Sequence, residues 1–119
     1  MVPVRMIRRF VLFEALTFIV AALIHFGVLV TGGEHRRAGI AESVIAAVLV
    51  AGLASTYVRP TSTRALGAAA QGFALLGTLV GILTIIVGVG PRTVPDVVYH
   101  VGIVAVLATG LTVAARARP

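Results

Sequence analysis

The sequence predicts an all-α membrane protein: a four-transmembrane-helix, up-down-up-down antiparallel bundle with N- and C-termini cytoplasmic. Three observations predict it. Of 119 residues, 59% are hydrophobic and only 12% charged, with a mean hydropathy of +1.08, whereas a soluble domain carries about a quarter charged residues. Apolar runs at residues 10–31, 40–58, 65–89 and 94–115 are separated by short polar breaks, and about 20 residues at about 1.5 Å each match a hydrocarbon core of about 30 Å. Arg5, Arg8, Arg9, Arg59, Arg64, Arg116 and Arg118 fall at one end of these runs, and Arg36, Arg37 and Arg92 at the other. The positive-inside rule assigns the richer end to the cytoplasm.

The first run, FVLFEALTFIVAALIHFGVLVT, is read as ending at Thr31-Gly32-Gly33. The arginines before it suit the start of a signal peptide, but the run is too long for a signal h-region and no cleavage site follows, so an uncleaved first span is expected. The second run stops at Arg59-Pro60, with proline just past a helix end. Hydroxyl residues Thr61, Ser62 and Thr63 precede the third run, which stops at Gly90-Pro91. Thr93-Val94-Pro95-Asp96 reads as a helix start, with Thr93 as N-cap, Pro95 in the first turn, and Asp96 placed to offset free N–H groups. The polar breaks are too short to hold a core of their own, so residues 1–119 are expected to form a single integral membrane domain. Short connections favour antiparallel neighbours.

Apolar side chains gain little by leaving lipid for protein, so helix contact in a bilayer relies on small residues. Ser43, Ala47, Ala51 and Ser55 recur every four positions in the second run. Gly77, Gly81 and Gly88 share a face of the third. Both sets are expected to be packing seams.

With no cysteine, disulfides, thiolate metal sites and cysteine nucleophiles are excluded. No P-loop, dinucleotide fingerprint or GxSxG elbow is present, so the reading leans away from an enzyme. All the basic residues are arginine. That bias suits a GC-rich bacterial genome, and with the spans it places the chain as a multi-pass protein of the bacterial cytoplasmic membrane. The positive charges sit at run ends, where topology accounts for them. The bilayer is thus the expected partner, and nucleic acid is not.

Ionisable residues inside apolar spans point to function unless they pair for structure. His25 lies roughly 9 Å below the outer end of the first predicted span, and His100 roughly 10 Å into the fourth from the same side, so the two come out level. Asp96 is one turn from His100, Tyr99 adjoins it, and Glu42 enters the second span near the same depth. His25, His100, Glu42, Asp96 and Tyr99 therefore form the candidate cofactor-binding set. Three uses suit it. Two facing imidazoles can ligate haem b, with Arg36, Arg37 and Arg92 toward its propionates. His25, His100 and Glu42 can hold a divalent metal. His and Tyr can also hydrogen-bond a quinone or lipid headgroup. The plainer alternative is that the carboxylates serve helix N-termini and each histidine bonds a neighbouring helix. A second set, Glu14 and Gln71, sits toward the cytoplasmic side, with Thr78 on the same face. It suits either an interhelical hydrogen bond or proton handling by a small transporter.

The block AGIAESVIAAVLVAGLAS, an arginine-bearing break, and RALGAAAQGFALLGTLVGI together resemble the DoxX-like group of small four-span membrane proteins over roughly residues 10–90. Glu42 matches the glutamate that opens that group's second span. The resemblance implies an accessory or subunit role beside a membrane oxidoreductase and carries over no catalytic residue. In length, span number and the acidic Glu14 the chain is also similar to the small multidrug-resistance transporters. It lacks tryptophan and the aromatic-rich second and third spans of that group, and its arginine asymmetry argues against dual insertion. The leading expectation is therefore a cofactor, metal or lipid-soluble ligand held between the helices near the outer leaflet. A proton-coupled transporter working through Glu14 and a purely structural subunit are the rivals. A membrane oxidoreductase or a homo-oligomer is the protein partner expected.

Overall fold

A computed structural model describes residues 2–118. The described residues form four helices: α1 (Arg5–His25), α2 (Arg36–Val58), α3 (Thr63–Ile86) and α4 (Val94–Arg116). A short 3₁₀ turn at Pro60–Ser62 leads into α3. The helices run up, down, up, down. Each packs on its sequence neighbours, and α1 closes the ring against α4. Of the two diagonals, α1 touches α3, while α2 and α4 stay apart. The bundle measures 44 × 24 × 16 Å.

Two helix ends differ from the sequence expectation, and the same physics explains both. α1 stops at His25, because Gly27 adopts φ +75 and Val28 N–H donates to Leu23 O at 2.9 Å while Gly27 N–H donates to Ile24 O at 3.0 Å. This is a Schellman stop, with glycine taking the left-handed position. The expected stop at Thr31-Gly32-Gly33 came too late by a turn and a half or so. α3 ends at Ile86 in the same way, with Gly88 at φ +85 and Val89 N–H on Thr84 O. Gly88 is thus a terminator and not part of a packing seam. α2 starts earlier than expected, at Arg36, because His35 caps it: its Nδ1 accepts from Ala38 N–H. Histidine is not a common N-cap, so this start was not legible. The start of α4 is as expected, with Thr93 and Asp96 forming a reciprocal capping box.

The segments Arg36–Val58, Pro60–Ile86 and Val94–Arg116 are long and apolar enough to cross a membrane. The apolar part of α1, Phe10 to His25, is only about 24 Å long at about 1.5 Å per residue, short of a core of about 30 Å. Large apolar side chains on every helix face outward, among them Leu16, Val44, Leu76 and Val101. An outer surface of that kind is compatible with lipid.

The interior is a stripe from each helix: Ile7, Val11 and Phe18 of α1, Ile45 and Leu49 of α2, Ala70 and Ala74 of α3, Ile103 and Leu107 of α4. Glycine lets the backbones approach. A Cβ at Gly67 would overlap Ile7 Cγ2, one at Gly77 would stand 2.7 Å from Ile45 Cδ1, and one at Gly81 3.0 Å from His100 Nε2. The α3 seam is therefore real at Gly77 and Gly81. The expected α2 seam is not in the interior. Ser43, Ala47 and Ala51 are exposed, and α2 buries Gly39, Glu42, Ile45, Ala46, Leu49 and Thr56 instead. The pull of Glu42 toward polar partners sets that rotation.

Candidate functional site

The outer end of the bundle is organised by His25. As the last residue of α1 its ring is buried, 4% exposed, and both nitrogens meet carboxylates. Nδ1 is 2.7 Å from Glu42 Oε2 of α2 and Nε2 is 3.1 Å from Asp96 Oδ1 of α4. A carboxylate can only accept, so with both acids ionised the ring must donate from both nitrogens and carry a charge. A cation at a helix C-terminus is also favoured by the helix dipole. His25 thus bridges the two helices that otherwise stay apart.

Asp96 divides its oxygens. Oδ2 accepts from Thr93 N–H and from the Thr93 hydroxyl in the capping box, and Oδ1 faces His25. Its backbone carbonyl accepts from His100 Nδ1 at 2.7 Å. Since a carbonyl cannot donate, His100 carries its proton on Nδ1, and a neutral ring presents Nε2 as an acceptor. That nitrogen makes no hydrogen bond among the described residues and lies against Gly81. Tyr99 packs edge-on to both Phe18 (6.2 Å) and His100 (5.4 Å), and its buried hydroxyl has no partner among the described residues. His35 lies 6.4 Å from the His25 ring, and its Nε2 donates to Val89 O.

Two cavities flank this group. One, of about 290 Å³, lies mainly between α2, α3 and the start of α4; His35, Arg37, Glu42, Thr78, Thr84, Tyr99 and His100 give it polar lining, and Phe18, Ile45, Gly77 and Gly81 are among its apolar lining. The other, of about 530 Å³, opens sideways between α1 and α4. It is apolar from Phe13, Leu16 and Val20, with His25, Asp96 and Tyr99 at one end. Tyr99 lines both.

The structure therefore gathers all five expected residues at one end, but in other roles than the ligation expected of some. His25 and His100 are not a facing pair with free nitrogens, since both His25 nitrogens are engaged. That arrangement does not offer bis-histidine haem ligation. Among the described residues, no group of three or more His, Cys, Asp or Glu is disposed to hold a metal ion, which also departs from the His25–His100–Glu42 expectation. Glu42 and Asp96 orient and balance His25, while the His100 Nε2 and the Tyr99 hydroxyl make no hydrogen bond among the described residues. The contribution of Gly81 to the site was missed; only its place in a small-residue stripe was visible.

At the other end, Arg8 donates to Thr56 Oγ1 (3.0 Å) and Thr56 O (2.7 Å) and lies over the Tyr57 ring, and Arg64 donates to Ala115 O. Between the two ends, Glu14 and Gln71 are both fully buried beside Gly110, without a hydrogen bond between them. No family model, no curated protein and no solved structure matches the chain.

Proposed function

We propose that this chain is a four-span membrane protein that binds a lipid-soluble molecule with a hydrogen-bonding head, of the quinone or quinol kind, at the end of the bundle marked by His100 and Tyr99. The observation that carries the reading is a cavity of about 290 Å³ within an apolar bundle, lined by Tyr99 and His100, whose buried hydroxyl and Nε2 respectively make no hydrogen bond among the described residues. The pair is complementary. A phenol O–H donates to a carbonyl, and a neutral imidazole nitrogen accepts from a hydroxyl. The His25–Glu42–Asp96 bridge fixes the walls. The apolar cleft between α1 and α4 suits a hydrocarbon tail.

In this reading α1 is the fourth crossing. Its shortness is offset because Arg8 and Arg9 can reach the interface from one end, and the residues after Gly27 sit in the headgroup layer at the other. Arginine asymmetry then puts both termini in the cytoplasm of a bacterial cell and the cavity toward the outer leaflet. The DoxX-like resemblance supports an accessory role beside a membrane redox enzyme.

The test is a titration of the purified protein in nanodiscs with a short-chain quinone and its quinol, read by calorimetry, together with native mass spectrometry for a retained small molecule. His100→Ala and Tyr99→Phe are each expected to weaken binding about tenfold, the equivalent of about 1.4 kcal/mol and typical of one hydrogen bond. Absence of saturable binding to the unaltered protein, or binding indifferent to both substitutions, refutes the reading.

A further inference from the structure

The middle of the bundle holds a second polar group that the proposed ligand site does not use. Glu14 of α1 is fully buried, and neither of its carboxyl oxygens has a hydrogen-bond partner among the described residues. Gln71 of α3, equally buried, donates from Nε2 to Gly67 O at 3.1 Å and leaves Oε1 without a donor. Gly110 of α4 makes room for them: a Cβ there would overlap Gln71 Oε1 and stand 3.2 Å from Glu14 Oε1. Gln71 Oε1 and Glu14 Oε1 thus face the same point beside Gly110, and neither has a donor among the described residues. In a dry interior that arrangement is costly by several kcal/mol for an ionised carboxylate.

Rotating the Gln71 amide does not resolve it. Exchanging its nitrogen and oxygen would turn Nε2 toward Glu14, but would set Oε1 against Gly67 O at hydrogen-bond distance, acceptor against acceptor. Gly67 O therefore fixes the amide, and the missing hydrogen has to come from the Glu14 side. An arginine does not supply it. Among the described residues Glu14 has no ion pair, and Arg8 on the same helix is committed to Thr56. A metal cation would need more ligands and more room. The two side chains offer only three oxygens, and neither Glu14 nor Gln71 lines either cavity at the outer end. A proton needs no space.

We infer that Glu14 is a proton-binding site: its carboxyl holds a proton and donates it in an O–H···O hydrogen bond to Gln71 Oε1, joining α1 to α3 beside Gly110. The site stands apart from the cavity at the outer end and is independent of what that cavity binds.

Infrared spectroscopy of the protein in nanodiscs at neutral pH tests it. A neutral carboxylic acid shows a C=O stretch above the amide band that shifts in D2O. The unaltered protein is expected to show this band, Glu14→Gln to lose it, and Glu34→Gln, in the exposed loop, to keep it. Gln71→Leu keeps the acid but removes its acceptor, so the band should persist at a shifted frequency; this arm holds even if Glu14→Gln does not fold. An unaltered protein without the band, or a band that survives Glu14→Gln, overturns the inference. So does a melting temperature that changes when Li⁺, Na⁺ and K⁺ are exchanged at constant ionic strength, if Glu14→Gln abolishes that change, for then a metal cation occupies the site.

Discussion

Replacing His25 by alanine removes one ring and strands two carboxylates. The ring is 4% exposed and Glu42 6%, so neither the lost bonds nor the orphaned charge is well compensated by water. Hydrogen bonds to charged groups contribute about 1.5–3 kcal/mol each, and His25 makes two, at 2.7 and 3.1 Å. A loss of about 3–5 kcal/mol follows, the range seen when one partner of a buried ion pair is deleted. Neutral hydrogen bonds between membrane helices average only about 0.6 kcal/mol, so the magnitude separates a charged bridge from ordinary polar contact. The assay is steric trapping in bicelles, which reads unfolding without leaving the bilayer mimic. A double-mutant cycle with Glu42→Ala sharpens it. In the unaltered background Glu42→Ala should cost about 2 kcal/mol; after His25→Ala it removes an unpaired carboxylate and should cost little or stabilise. A His25→Ala loss below about 1 kcal/mol, or two effects that simply add, would refute the charged bridge.

Three further outcomes rest on single contacts. Gly110→Ala drives a methyl into the Gln71 carboxamide and should destabilise by about 1–3 kcal/mol as overpacking does, measured by the same trapping assay; Gly102→Ala, with open space around it, should not. Gly27→Ala places a side chain at φ +75 and 2.9 Å from Glu34 Cγ, so it should cost about 1–2 kcal/mol, seen as a lower melting temperature by circular dichroism. Thr93→Ala removes the α4 cap and should cost about 1 kcal/mol, with faster hydrogen exchange at the amide of Asp96.

What could be read without coordinates followed from strong, local physics. Apolar length marks α2, α3 and α4, a capping box marks the start of α4, and depth counting brings His25, Glu42, Asp96, Tyr99 and His100 to one end. What escaped depends on rotation and on backbone conformation. A glycine at Gly27 terminates a helix only if the next amides can reach back to Leu23 and Ile24, and nothing in an apolar run announces that. The small residues of α2 pointed out instead of in because a helix can be turned by one strong polar attachment, and Glu42 to His25 outweighs a stripe of alanines. Depth also says nothing about which nitrogen is free. Counting turns made His25 and His100 equivalent, yet one is spent on two carboxylates and the other keeps an open acceptor.

That difference bears on why an opening persists at the outer end at all. α2 and α4 do not meet; the His25 ring spans the gap between them through Glu42 and Asp96. Were packing the sole demand, an apolar residue at Tyr99 would avoid burying an unpaired hydroxyl at a cost of about 1–3 kcal/mol. Lower on the same bundle, Leu49, Ala74 and Leu107 leave almost no exposed surface. The chain can therefore pack tightly where it has apolar residues to do so. At the outer end a cavity of about 290 Å³ instead adjoins a phenol and an imidazole whose hydroxyl and Nε2 make no hydrogen bond among the described residues, and the proposed ligand would supply the missing atoms there.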